Sequence, residues 1–263
     1  MGESDCSKHA DVRSMTVPMP PLAEQERIVA KIETLSSELN STRERIDRSA
    51  TILRRFRQAV LAAACSGKLT EDWRKNEHIN MDGWKEATLE DVADMRLGKM
   101  LDQAKNVGTP TQYLRNVNVR WFSFELVDLF EMRATQQDKG EFSIKDGDLL
   151  VCEGGEPGRC AVWNLGSNDL IFQKAIQRIR LKDKISPHWV AFNLKNDADS
   201  GGLEEYFTGS GIKHMTGRSL ATYFFKLPTM EEQREISDVL MHFSNWPMRL
   251  KSGLRRQPCE RKG

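Results

Sequence analysis

No long apolar run occurs in these 263 residues. Nothing approaches the roughly 18 unbroken apolar residues that a membrane-spanning helix needs. The start, Met1 to Ala10, also lacks the apolar stretch of a signal peptide. No membrane association is expected, and a cytoplasmic location is. Ordered cysteine chemistry is missing too. Cys6, Cys65, Cys152, Cys160 and Cys259 are odd in number and scattered, with no C-x-x-C pair and no histidines at ligand spacing. That pattern argues against disulfides and zinc, so no metal and no cofactor is expected. Catalytic signatures are absent as well: there is no H-E-x-x-H, G-x-S-x-G or G-x-G-x-x-G, and no N/D-P-P-aromatic run of the kind amino-methyltransferases carry. His9, His78, His188, His214 and His242 lie far apart. The sequence reads as a protein that is not itself an enzyme.

A net charge of +1 leaves no overall electrostatic pull on nucleic acid, but the charge is unevenly placed. Thr42 to Lys75 holds nine basic residues against four acidic ones. Two other stretches contain no acid at all: Asn106 to Trp121, with Arg115 and Arg120, and Tyr206 to Lys226, with Lys213, His214, Arg218, Lys226 and interleaved aromatics. Acid-free loops of this kind suit a phosphate backbone, which any carboxylate would repel.

From Ile28 the chain steps alternately by four and three through Ile28, Ile32, Leu35, Leu39, Thr42, Ile46, Ser49, Leu53, Phe56, Val60 and Ala63. Nine of these eleven positions are apolar. A 3.5-residue seam drifts around an isolated helix and is best buried by a partner helix that supercoils with it, so a coiled coil is predicted. Pro20 and Pro21 suit the first turn, and Gly67 suits the left-handed residue that ends a helix. At 1.5 Å per residue, Pro21 to Ser66 spans roughly 70 Å.

The helix start Pro20-Pro21-Leu22-Ala23-Glu24-Gln25-Glu26-Arg27-Ile28 recurs 208 residues later as Pro228-Thr229-Met230-Glu231-Glu232-Gln233-Arg234-Glu235-Ile236. In the second copy Thr229 and Glu232 form the T-x-x-E pattern of a capping box. Together the copies bracket one domain's worth of chain. Within it, Thr88 to Met95 reads as a short helix, Leu149 to Cys152 and Cys160 to Trp163 as strands, Ala175 to Leu181 as a strand, and Pro187 to Leu194 as a helix. The loop Gly154-Gly155-Glu156-Pro157-Gly158 has no following G-K-[ST] and reads as a tight β connection. The fold class is α+β: one mixed domain flanked by a long N-terminal coiled-coil helix and a shorter C-terminal helix. The predicted bounds are an N-terminal stub at 1–20, the long helix at 21–66, a linker at 67–83, the domain at 84–228, the C-terminal helix at 229–245 and a basic tail at 246–263.

These residues resemble the specificity subunit of type I restriction-modification systems, in half-length form. The resemblance rests on the two proline-to-E-Q-x-x-I helix starts and on the run Arg57 to Thr70 with Trp73. It also rests on Trp84 to Asp94 with Gly98, Tyr113 to Val119, Gly147 to Val151 with Gly154-Gly155, and Gly209 to Met215. It covers residues 16 to 244. It implies a non-catalytic DNA-binding protein in which a target-recognition domain reads half of a split site in double-stranded DNA. The helix would act as spacer and scaffold for modification (methyltransferase) subunits. Restriction subunits would associate indirectly, and adenine methylation and DNA cleavage would belong to the complex. With one complete recognition domain, two copies could pair as an antiparallel homodimer. The competing expectation is a truncated scaffold that binds modification subunits or self-associates without reading DNA. The residues expected at DNA are Arg115, Asn118, Arg120, Lys213, His214 and Arg218. Those expected in the coiled-coil interface are Ile28, Ile32, Leu35, Leu39, Ile46, Leu53, Phe56 and Val60.

Overall fold

The computed structural model describes residues 18–79, 83–102, 104–166, 169–182 and 184–242. The predicted basic tail and most of the N-terminal stub lie outside them. The chain divides into two compact units, Met1–Phe56 and Arg57–Gly263.

Helix α1 runs over Leu22–Cys65, within a residue or so of the sequence expectation. It stops where predicted, at Gly67 with φ 77°. In the first unit the seam residues Ile28 to Phe56 are exposed. The two polar interruptions satisfy their own hydroxyls within the helix, Thr42 donating to Glu38 O and Ser49 to Arg45 O, each at 2.9 Å.

In the second unit the last turns of α1 bury Leu61 and Ala64 in the domain core. Helix α2 (Glu71–Asn76) follows. The domain itself opens with β1 (Lys85–Thr88) and closes with β11 (Phe224–Leu227), and these two strands pair antiparallel with Lys85 opposite Leu227. The ends of the domain are therefore neighbours.

Between them, β2 (Ala93–Leu97), β10 (Ile176–Leu181), β7 (Leu149–Cys152) and β8 (Cys160–Val162) form an antiparallel sheet in that order. Strand β7 is buried on both faces. Leu149 and Val151 point into one cluster with Trp189, Val190 and Phe192 of helix α5 (Pro187–Ser200), and Leu150 and Cys152 into another with Leu114, Trp163 and Phe172. That is why its sequence is continuously apolar rather than alternating. A second sheet holds β6 (Phe130–Ala134), β3 (Thr109–Leu114) and β9 (Ile171–Phe172), helix α4 (Gln136–Glu141) follows β6, and β4 (Val119–Arg120) pairs with β5 (Ser123–Phe124). The predicted helix at Thr88 to Met95 is only α3, Leu89–Val92. Thr88 and Asp91 cap it, and Ala93 then turns extended because β2 forms a ladder with β10, with Ala93 opposite Leu181. Helix α7 spans Met230–His242.

The second copy of the repeat is built into this unit. Glu232 N–H donates to Thr229 Oγ1 at 3.3 Å, which is half of the predicted capping box. The Glu232 carboxylate does not turn back to complete it. It pairs instead with Arg74 and accepts hydrogen bonds from Thr70 Oγ1 (2.6 Å) and Trp84 Nε1 (2.8 Å). A buried carboxylate without such donors would be strongly destabilising, so tertiary partners take precedence over the local cap.

Candidate nucleic-acid interface

The two acid-free segments meet at the glycine loop that joins β7 to β8. From the first segment, Asn116 begins a short 3-10 turn (Asn116–Asn118) and its Nδ2 reaches Gly154 O at 3.4 Å. From the second, the His214 ring lies against Gly154, where a Cβ would stand 2.9 Å from His214 Nδ1. Gly155 has φ +80°, and a Cβ there would approach Asn116 Nδ2 to 3.2 Å. The loop is therefore more than a tight connection, because its bare backbone lets both segments close on it.

Glu153 fastens the second segment from below. Its carbonyl accepts from Met215 N–H at 2.8 Å, and its Oε1 accepts from Gly217 N–H (3.2 Å) and Gln177 Nε2 (2.8 Å). Thr208 and His214 exchange both backbone hydrogen bonds, at 2.8 and 3.0 Å. They pinch off the tip Gly209-Ser210-Gly211-Ile212-Lys213, all of it exposed. A tip held at its base by a two-bond bridge presents side chains outward at low ordering cost.

The six residues expected at DNA fall into two groups. Lys213 and His214 sit on this tip and its base, with Lys213 Nζ 3.4 Å from Glu204 Oε1 and 5.7 Å from the Phe207 ring centroid. Arg218 lies on helix α6 (Gly217–Ala221), is exposed, and lines an open cavity of about 530 Å³ with Glu153, Lys174 and Gln177. Arg120 is exposed on β4.

Arg115 and Asn118 face inward. The Arg115 guanidinium pairs with Asp128 at 2.9 Å and lies 3.6 Å from the Phe130 ring centroid. Asn118 is 2% exposed, with Oδ1 accepting from Arg115 N–H (2.9 Å) and Nδ2 donating to Glu125 O (2.9 Å) and Asp128 O (3.3 Å). Its hydrogen-bonding capacity is spent on shaping the loop from Arg115 to Asp128. Sequence reasoning passed over Asn116 and gave Gly154 only a turn role. The available signal was the sequence G-G-E-P-G between two apolar strands, which placed a loop there without saying what would meet it.

Among the described residues no group of three or more His, Cys, Asp or Glu could hold a metal ion. No helix among them is long and apolar enough to cross a membrane.

Comparison with known proteins places this arrangement. A family profile described as the type I restriction modification DNA specificity domain matches residues 81–257. The chain is similar to the type I restriction enzyme EcoKI specificity subunit of Escherichia coli K12, at 29% identity over 235 residues covering 87% of this chain and 50% of that protein. Among solved structures it resembles the HsdS subunit from Thermoanaerobacter tengcongensis, with a TM-score of 0.52 at 21% identity over 85% of this chain and 51% of that one. A chain from a structure of a type I R-M system gives a TM-score of 0.55 at 22% identity, covering 85% and 52% respectively. The chain spans about half the length of the curated relatives it matches.

Proposed function

The chain belongs to the type I restriction modification DNA specificity family, and on that premise we propose that its single domain reads one half of a split site in duplex DNA. The observation that carries this reading is the convergence of both acid-free segments on Gly154, with Lys213, His214, Arg218 and Arg120 exposed around them. Arginine and histidine can address base edges in the major groove, while lysine and the glycine-rich tip hold phosphates. Arg115 and Asn118 act indirectly, by setting the shape of the loop that carries Arg120. The chain itself performs no chemistry. Adenine methylation and cleavage belong to modification and restriction subunits assembled with it.

Helix α1 serves as spacer and scaffold. Leu35, Leu39, Ile46, Leu53 and Phe56 are between 43% and 70% exposed, an apolar stripe that calls for cover. A partner helix with the same 3.5-residue period supplies it, and in an antiparallel pair of copies the two identical domains would read a palindromic split site. Monomeric light scattering at micromolar concentration, with and without DNA, removes the homodimer.

Selection from random duplexes, with the modification subunit present and absent, tests the reading. Enrichment of a motif supports a reader. Enrichment of nothing, with the modification subunit still bound, means a scaffold that has lost recognition.

A further inference from the structure

The face of the four-stranded sheet that carries Val151 and Ile179 is apolar except at Gln177. Leu97 of β2 and Val151 of β7 stand opposite Gln177 on either side, and the amide is only 3% exposed. A buried amide needs partners at both of its ends. Its Nε2 donates to Glu153 Oε1 at 2.8 Å, whereas its Oε1 accepts no hydrogen bond among the described residues.

Gln177 belongs to the wall of the cavity of about 530 Å³ beside α6, and burial sorts that wall into layers. Lys174 and Arg218 are exposed and form the rim, with no charged or hydrogen-bonding partner for either side chain among the described residues. Half-buried Met95, Leu97 and Ala221 make an apolar side, and Gln177 and Glu153 lie innermost. Lys174 is held at the rim by strained backbone. The next residue, Ala175, has φ 138°, and its carbonyl accepts from Glu153 N–H at 2.9 Å while Lys174 N–H donates to Lys99 O at 2.8 Å. The cavity therefore has acceptors inside, cations outside and an apolar wall between them.

We propose that this cavity is a site for a purine nucleotide whose base carries an exocyclic amino group. The base lies on Met95, Leu97 and Ala221, its amino group donates to Gln177 Oε1, and Lys174 and Arg218 hold its 5′-phosphate at the rim. Inorganic phosphate would leave the amide oxygen unmet and bring like charge towards Glu153. A purely apolar ligand would leave both cations unused. The volume is ordinary for a small-ligand site and has room for a two-ring base. Such a nucleotide comes free from solution or from a strand, as a base turned out of the duplex. Only the second source rests on the DNA reading proposed above, and there binding has to offset the cost of unstacking.

Calorimetric titration of the full chain with AMP provides the test. AMP is expected to bind with a Kd of about 1 mM or tighter, and purine riboside 5′-monophosphate, which is AMP without its amino group, about tenfold more weakly. Gln177→Leu, which suits the apolar face, should abolish the difference between the two purines. Lys174→Ala should weaken AMP about tenfold and leave adenosine unchanged. For the strand source, a duplex with one unpaired adenine should bind about tenfold more tightly than the paired duplex, and an unpaired purine lacking the amino group should bring no such gain. Binding of AMP without a gain from the unpaired adenine assigns the site to free nucleotide, and a gain assigns it to the strand. Absence of both overturns the proposal. So does equal binding of the two purines by the parent chain, a comparison that stands whether or not Gln177→Leu folds. A purine difference that survives in folded Gln177→Leu, or AMP affinity unchanged by Lys174→Ala, overturns it as well. The AMP titration uses no DNA, so a chain that binds AMP but selects no motif loses the reading and keeps the site. A chain that selects a motif but meets none of the purine criteria keeps the reading and loses the site.

Discussion

Arg74 and Glu232, 158 residues apart in sequence, form an ion pair whose side chains are 6% and 0% exposed. The same guanidinium also donates to Gly67 O, the carbonyl of the glycine that ends α1. One side chain thus ties the end of the long helix to the start of α7. Arg74→Ala strands a buried carboxylate and should lower the unfolding free energy by about 3–5 kcal/mol in urea titrations. Arg74→Met combined with Glu232→Leu should lose much less than the two single losses added together. Simple additivity would show that the pair is not coupled.

Lys213→Ala with Arg218→Ala should weaken DNA binding about tenfold or more and flatten the plot of log affinity against log salt by about two units. Thermal stability should hardly move, because both side chains are exposed. An unchanged salt slope would place the reading face elsewhere on the domain.

Asn118→Ala should behave in the opposite way. It removes an amide that joins Arg115, Glu125 and Asp128, and should destabilise the domain by about 1–3 kcal/mol. The salt slope of whatever DNA binding survives should match the parent. A flattened slope with full stability would mean that the amide faces DNA directly.

Gly154→Ala would set a methyl group 2.9 Å from His214 Nδ1. The imidazole has to swing away, so DNA affinity should fall while the melting temperature changes by only a few degrees. Parental affinity would disconnect His214 from recognition.

Burial pushes the Cys160 and Cys65 thiols well above their usual range and raises Cys152 to about 11. Because the thiolate is the reactive form, a variant with Cys6→Ser, Cys65→Ser and Cys259→Ser should resist iodoacetamide at pH 8 and react at its two remaining buried thiols, Cys152 and Cys160, only in denaturant. Labelling of Cys160 in the native protein would contradict its burial.

The long helix and the strands β7, β8 and β10 were legible because each carries its own signal: a 3.5-residue period with a proline start and glycine stop for the helix, a continuous apolar run beside glycines for β7 and β8, and an imperfect alternation for β10. Strands β2, β3 and β6 gave no such signal. Their residues, such as Glu131, Met132 and Arg133 in β6, are set by cross-strand partners distant in sequence, as Met132 is by Thr111. Four of the six residues expected at DNA are exposed, Lys213 and His214 on a loop, Arg120 on β4 and Arg218 on α6. Composition could not separate Arg120, which is exposed, from Asn118 two residues earlier, which is buried. That difference is decided by carbonyls at Glu125 and Asp128, which only the folded loop brings within reach.

The pairing of β1 with β11, with Lys85 opposite Leu227, brings the chain in and out of the domain at one point. The Arg74–Glu232 clasp lies just outside that point and draws on framing residues alone, Gly67, Thr70, Arg74, Trp84 and Glu232. Whatever sequence lies inside the paired strands is therefore topologically a closed loop hung from a fixed buckle. Its interior can be exchanged for another of different length without moving the buckle, provided that its two ends arrive side by side.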